Sequence, residues 1–303
     1  MKKILICICT YNRNQSLMNC LRSIEKMKLI NKFFLEVFIL DNTITFNSKN
    51  IIKKYKKIKS RKISLQNEKK RGIVFARNAC LDFARKSKSE YIIFIDDDCI
   101  FDKSWLVNAF DTLKKYNADV VTGPQEYEIK NSSIDNINFT QFFEKKYPKN
   151  ILKVRWAATN NVLLKSNIIK ETNLKFDKNL NKFGMGEDQL FFQQLSKLGI
   201  KIFYSDKIKV TENIHNHRFN INWLKNRSLR LGILGNYIDR KLYGNLIGTI
   251  INYLKFFYLM FKIFFIFIVP FKKNYKFILY NCYYRAIGKL YGPFVFKKIN
   301  FLR

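Results

Sequence analysis

Acidic residues are scarce in this chain of 303 residues: 23 Asp and Glu stand against 56 Lys and Arg, a formal net charge of +33. An excess of that size points to an anionic partner, whether nucleic acid, membrane headgroups or phosphorylated substrates, unless it reflects compositional drift across a whole proteome. Histidine is scarcer still, with His215 and His217 the only two. The six cysteines, at 7, 9, 20, 80, 99 and 282, include no CxxC pair and have no histidine-rich companion. That argues against a zinc site and a disulfide framework, and for reduced thiols in a cytosolic setting. No long apolar run opens the chain. The run "ILICIC" ends after six residues at Thr10, too short for the core of a secretory leader, and it reads as a first buried strand. The turn behind it, "CTYNRNQS", lacks glycine. Nucleotidyl transfer usually needs a glycine-rich turn there to grip a triphosphate, so that chemistry is disfavoured. No signature of a nucleic-acid-binding module appears either, and nucleic acid is not expected as a partner.

What is present is apolar and aromatic: 48% hydrophobic and 16% aromatic residues, enough to build a core. The length suits one large α/β domain with an appendage, or two ordinary domains. Short apolar runs at 4–9, 35–40, 62–65, 91–95 and 118–123 alternate with helically spaced stretches, such as Leu17, Leu21 and Ile24, or Val74, Ala76, Cys80 and Phe83. Alternation of that kind predicts parallel β-α-β units. Ligands then bind beyond the carboxyl ends of the strands. Three strands end in polar groups ("CTYNR", "DNT" and "DDD"), which should share one cleft. Segment 124–156 is polar and aromatic without a period and reads as irregular and substrate-facing. A strand follows at 161–165, then Gly186, Glu187 and Asp188 opening a helix that Gly199 closes.

Three acidic sites stand out in so basic a chain: Asp41, the triplet Asp96–Asp98, and the pair Glu187 and Asp188. Alternation along a strand puts Asp96 and Asp98 on one side and Asp97 on the other. Two carboxylates converging at a strand end suit Mg²⁺ or Mn²⁺, which would neutralise a diphosphate leaving group. The mutual repulsion of the triplet is then relieved only by the bound ion, and the empty site should be loosely ordered. A separate carboxylate, such as Asp188, is what deprotonation of a hydroxyl requires. The plainer alternative is that Glu187 and Asp188 only cap a helix.

The ordered motifs "TYNR" (10–13), "LDN" (40–42), "RGIVFARN" (71–78), "FIDDDC" (94–99), "ATNNVLL" (158–164) and "GEDQLF" (186–191) resemble a family 2 glycosyltransferase of the GT-A fold, over roughly residues 1–215. Asn42 stands where that family often has a second Asp, and Cys9 where it often has Pro. The resemblance implies a Rossmann-like, mainly parallel sheet flanked by helices and inverting, metal-dependent transfer from a nucleotide-diphosphate sugar, most simply a UDP-sugar. By position it implies that Thr10, Tyr11, Arg13, Asp41, Arg77, Asp96 and Asp97 contact the nucleotide sugar. It makes Asp96 and Asp98 the metal ligands, Mn²⁺ or Mg²⁺, and Asp188 the catalytic base with Glu187 beside it. The stretch 210–232 resembles one subgroup linked to cell-envelope polysaccharides, in which residues matching Glu212 and Arg218 recur. His215 and His217 are candidates for hydrogen bonding or for a late metal ligand.

Residues 1–215 are thus expected as the glycosyltransferase domain and 216–303 as a basic, hydrophobic helical tail. From Asn213 to Arg303 there are 16 Lys or Arg and one acid, Asp239. The window 253–271 holds 13 Leu, Ile, Phe or Val in 19 residues. These favour insertion by roughly 4 to 8 kcal/mol, against about 2.5 to 3.5 kcal/mol for a central Lys262. The sum does not decide between spanning and lying in the interface; Lys255 and Lys262 share one helical face, as in a tilted or an interfacial helix. A buried soluble helix is the alternative. The expected partners are a nucleotide-sugar donor, a glycan or glycolipid acceptor, and a membrane met either as a surface or through a single helix. The expected location is the cytoplasmic face of the inner membrane.

Overall fold

The computed structural model describes residues 2–58, 62–128, 150–213, 218, 220–268, 275–296 and 298–301. His215, His217, most of segment 124–156, and Pro270 with Lys272 and Lys273 lie outside the described residues. The described chain falls into two compact units, Met1–Glu126 with Tyr147–Glu212, and Tyr127–Lys146 with Asn213–Arg303.

The first unit is built around β1 (Lys2–Thr10), whose apolar side chains are buried on both faces. Ile4, Ile6 and Ile8 join a core with Leu17, Leu21 and Ile24 of α1 (Asn14–Lys26), Ile52 of α2 (Lys49–Ile58) and Trp105 of α4 (Trp105–Lys115). Leu5 and Cys7 face the other way, with Val74, Cys80 and Leu81 of α3 (Ile73–Lys86), Ile168 and Ile169 of α5 (Ser166–Thr172), and Phe191, Phe192 and Leu195 of α6 (Glu187–Lys197). A strand covered on both sides needs a continuous apolar run, and period-two geometry deals its residues alternately to the two layers.

The main sheet has eight strands in the order β3-β2-β1-β4-β9-β6-β10-β8. Here β2 is Phe33–Asp41, β3 Ile63–Asn67, β4 Tyr91–Asp96, β6 Val120–Thr122, β8 Leu152–Val154, β9 Val162–Lys165 and β10 Ile202–Tyr204. The pairs β1–β2, β1–β4, β2–β3 and β6–β10 are parallel, as the alternating pattern predicts. The strand at 162–165 instead runs antiparallel to both β4 and β6, and β8 antiparallel to β10. The sheet is therefore mixed. The ends of the segment expected to be irregular are also strands, β7 (Gln125–Glu128) and β8. A second sheet joins β5 (Cys99–Phe101), β11 (Val210–Asn213) and β7.

The second unit contains α7 (Ile221–Tyr243), α8 (Asn245–Ile268) and α9 (Tyr275–Val295). Small residues let α7 and α9 meet backbone to backbone: a Cβ added at Gly232 would lie 2.3 Å from the Arg285 carbonyl oxygen and 2.7 Å from Gly288 Cα. Residues 253–268 of the expected apolar window fall on α8, which starts eight residues earlier than that window, and 269–271 lie outside the described residues. Only 17% of the most apolar stretch of α8 is buried.

Inside the sheet, Glu36 of β2 is 2% exposed and paired with Lys3 Nζ at 2.7 Å and Lys62 Nζ at 3.3 Å. Burial alone would raise its pKa. The hydrogen bond and charge of Lys3, helped by Lys62, outweigh burial and hold the carboxyl below 4.5. A depressed carboxyl pKa contributes stability above the unfolded value, and that contribution is lost as pH falls through the folded one. Glu36→Gln should therefore cost about 1–3 kcal/mol at pH 7. Urea unfolding should show the gap from the unchanged chain narrowing as pH drops below 4.5; a gap constant with pH would contradict it.

Candidate active site

Sheet register brings the polar strand ends together. Thr10 lies opposite Asp41, and Cys9 opposite Asp96, so the ends of β2, β1 and β4 share one edge. Strand β4 stops at Asp96, and Asp97 and Asp98 form a turn into β5. The alternation expected of a continuous strand therefore does not carry through the triplet. Asp97 Oδ2 accepts a 2.7 Å hydrogen bond from Thr10 Oγ1. Arg13 Nη1 reaches Asp97 Oδ1 at 3.2 Å and Asp98 Oδ2 at 2.5 Å. Asp96 turns to a different cation, accepting from Arg77 Nη2 at 3.1 Å. Asp97 and Asp98 thus share Arg13, whereas Asp96 is bonded to Arg77.

The triplet's repulsion does not wait for a metal: Arg13 and Arg77 offset it. It is not abolished, however. Burial pushes Asp97 up to about 7 against the pull of Arg13, with Asp98 adding to the rise.

Arg77 organises the other half. It sits on α3 directly behind the turn at Gly72, whose φ of +128° an L side chain rarely adopts. A Cβ there would meet the Asn181 side chain at 2.0 Å. Arg77 is 7% exposed, and its second terminal nitrogen, Nη1, donates to Glu187 Oε1. Glu187 opens α6 after Gly186, at φ +87°, and is itself 2% exposed. Burial opposes the Arg77 charge, but Glu187, Asp96 and Asp188 outweigh it and raise the guanidinium pKa. Asp188 is half-buried. Its Oδ1 accepts from the Gln189 N–H at 2.7 Å, and the Thr159 backbone N–H also bonds it. Burial raises its pKa, and Asp96 adds to this, while Arg77 draws it down. A carboxyl held above its ordinary value is a better proton acceptor once ionised.

Asp41 is 1% exposed, and both its oxygens brace the loop after β2: Oδ1 accepts from Thr43 N and Oγ1, at 2.8 and 2.6 Å, and Oδ2 from Ser48 N at 2.7 Å. Its neighbour Asn42 donates to the Glu68 and Lys70 carbonyls, both at 2.8 Å, and accepts from Gly72 N at 2.7 Å. Tyr11 is 44% exposed, with the Arg71 guanidinium 5.6 Å from its ring centroid. The sequence reading did not give Asn42 or Asn181 a role, because each acts on backbone far away in sequence. It also did not foresee Cys99 beside the carboxylates. Ligand atoms of Asp98, Cys99 and Glu212 all lie within 4.8 Å of one another, and all three residues are buried. Register explains this, since Glu212 of β11 pairs with Cys99 of β5.

A mixed α/β sheet with acidic groups at its carboxyl edge, backed by a helix-start carboxylate pair, is the arrangement that the resemblance to GT-A glycosyltransferases implied. The sequence profile described as "Glycosyl transferase family 2" matches residues 5–171, more than half of the chain, and the chain belongs to that family. It is 26% identical over 225 residues to the succinoglycan biosynthesis protein ExoM of Rhizobium meliloti, covering 74% of this chain and 71% of ExoM. It is also 26% identical over 193 residues to the poly(ribitol-phosphate) β-N-acetylglucosaminyltransferase TarP of Staphylococcus aureus, covering 63% of this chain and 56% of TarP. Among solved structures, the fold resembles residues 1–349 of S. aureus TarS with UDP (TM-score 0.54, 19% identity, 81% of this chain and 71% of that one). It also resembles the mannosyltransferase PcManGT of Pyrobaculum calidifontis with GDP-Man and Mn²⁺ (TM-score 0.64, 14% identity, 96% and 87%).

Asn42→Asp should loosen the edge of the cleft, because a carboxylate cannot donate to the Glu68 and Lys70 carbonyls. The expected loss is about 1–3 kcal/mol, with faster proteolysis at residues 68–72. Unchanged stability and unchanged cleavage would show that the brace is dispensable.

Proposed function

We propose that this chain moves a sugar, with inversion, from a UDP-sugar to a hydroxyl of a glycolipid, lipid-linked oligosaccharide or polysaccharide acceptor. The observation that carries the reading is the Arg77 link, which ties the strand-end Asp96 to the helix-start pair of Glu187 and Asp188. Leaving-group and proton-acceptor chemistry need separate carboxylates, and here the two sets are distinct but rigidly connected.

In this scheme the Asp188 carboxylate takes the proton from the acceptor hydroxyl. The freed oxygen attacks the anomeric carbon as the bond to the diphosphate breaks on the opposite face, and the diphosphate departs with the electron pair. Arg77 and the Glu187 it holds fix the base, while Thr10, Tyr11, Arg13 and Asp97 line the donor side. Asp41 supports the loop expected at the base of the nucleotide.

The residues present fit a divalent cation. Asp98 and Glu212 supply buried oxygens of the kind Mg²⁺ or Mn²⁺ prefers, whereas the soft Cys99 sulfur suits neither. Asp98 would hold the ion, with Asp96 and Glu212 beside it, once Arg13 releases Asp98. A bound Mg²⁺ or Mn²⁺ would stabilise the negative charge of the departing diphosphate. The cationic helical unit supports work at a membrane, on its cytoplasmic face, where lipid-linked acceptors and nucleotide sugars meet.

Asp188→Asn is expected to lower transfer by about 10²–10⁴-fold while donor affinity holds. Asp98→Asn is expected to remove the metal dependence of donor binding. The measurement is UDP-sugar turnover together with thermal shift, each with and without Mn²⁺ and Mg²⁺. Substantial turnover in Asp188→Asn would take that residue out of the mechanism. No shift or turnover with any nucleotide sugar would overturn the assignment.

A further inference from the structure

We infer that α8 lies in the plane of an anionic bilayer, seated in one leaflet by a single uncharged arc, and does not cross it. The inference deepens the membrane reading above and rests on it, but is independent of the donor and base assignments.

Length does not settle the matter. Twenty-four residues make a helix of about 36 Å, enough for a hydrocarbon core of about 30 Å. What settles it is how charge is distributed round the helix. Leu246, Ile250, Leu254, Phe257, Phe261, Phe264 and Ile268 recur at three- and four-residue steps, each 50% exposed or more. They form one ridge along the whole helix with no charged residue on it. The opposite side is buried at Gly248, Asn252, Leu259 and Ile263. Lys255 and Lys262, seven residues apart, occupy the flank between the two.

The buried side is tied to α7 and α9 by polar contacts that hydrocarbon would not tolerate alone. Asn252 is fully buried; its Nδ2 donates to the Lys289 carbonyl at 3.0 Å, and its Oδ1 accepts from Lys289 Nζ at 3.2 Å. Lys255 Nζ pairs with Asp239 of α7 at 2.7 Å. Those neighbours cannot follow α8 through a bilayer, since α7 carries Lys225, Arg227, Arg230, Arg240 and Lys241, and α9 carries Lys276, Arg285 and Lys289. To span, α8 would have to leave both and take Asn252, Lys255 and Lys262 into lipid unpaired. Keeping its partners, it offers the bilayer only the apolar arc, which is the arrangement of an interfacial helix. The 16 Lys or Arg between Asn213 and Arg303, against the single Asp239, select an anionic surface.

The test uses the full-length chain with sealed vesicles of mixed phosphatidylglycerol and phosphatidylcholine, and of phosphatidylcholine alone. Co-sedimentation is expected with the anionic vesicles and should fall at least tenfold in Phe257→Glu and Phe261→Glu, with UDP-sugar hydrolysis retained. Cysteines placed on either side of α8, Tyr243→Cys at the end of α7 and Lys276→Cys at the start of α9, should both react from outside with an impermeant maleimide, above the background of the unsubstituted chain. Labelling of one and protection of the other until detergent is added would show a spanning helix and overturn the in-plane geometry alone. Binding that is indifferent to Phe257→Glu and Phe261→Glu would overturn the arc. Failure to bind any vesicle, with hydrolysis intact, would overturn the membrane reading and leave the glycosyltransferase reading standing.

Discussion

A buried guanidinium is costly to place in a protein interior unless every charge around it is matched. Arg77 meets that condition by holding Glu187 on one side and Asp96 on the other. Three elements separated in sequence, α3, β4 and α6, are fixed against one another by this residue. Loss of either carboxylate would leave a buried cation partly unpaired, so the arrangement is held by more than local packing. The two carboxylates that open α6 meet different surroundings. Glu187 accepts from Arg77 and burial pushes its carboxyl up, while the half-buried Asp188 is bonded by the Gln189 and Thr159 backbone N–H groups.

Arg13 plays the corresponding part at the far end of the triplet, where it draws Asp97 and Asp98 together. The two arginines therefore partition a run of three adjacent carboxylates into two environments. Alternation along a strand would have grouped Asp96 with Asp98. The partition follows from where β4 ends, because backbone in a turn no longer alternates its side chains. A chain so rich in cations nevertheless uses two specific ones here, both aimed by the elements that carry them.

Much of the fold was legible because a strand buried on both faces must be an unbroken apolar run, and those at 4–9, 35–40 and 91–95 stand out between polar turns. Strand direction is a different matter. The run at 162–165 has the same composition whether it pairs parallel or antiparallel, and only the connection around it decides. The short strands β5, β7 and β11 were hidden because three or four residues carry too little pattern to register. In the site, the acids declared themselves by type and position. Asn42 and Asn181 did not, since each works through contacts with segments distant in sequence, which local reading cannot reach; Glu212 was marked by the resemblance of 210–232, but not its place beside Asp98. Asn42 is instructive: as a departure from a common Asp it looked like a minor loss, yet its amide supplies two donors that the acid lacks.

The loop braced by Asp41 bears on the kinetics of binding. With both carboxylate oxygens satisfied by Thr43 and Ser48 before any ligand arrives, that wall of the cleft is already set. Ordering a loop on association subtracts from affinity and slows capture. If the donor binds there as proposed, a preset wall avoids that subtraction, and encounter is governed by diffusion and by the long-range field of a strongly cationic molecule, which draws an anionic nucleotide inward. On the proposed reading, selectivity among nucleotides then comes from fit to a surface braced in advance, in the manner of a mould.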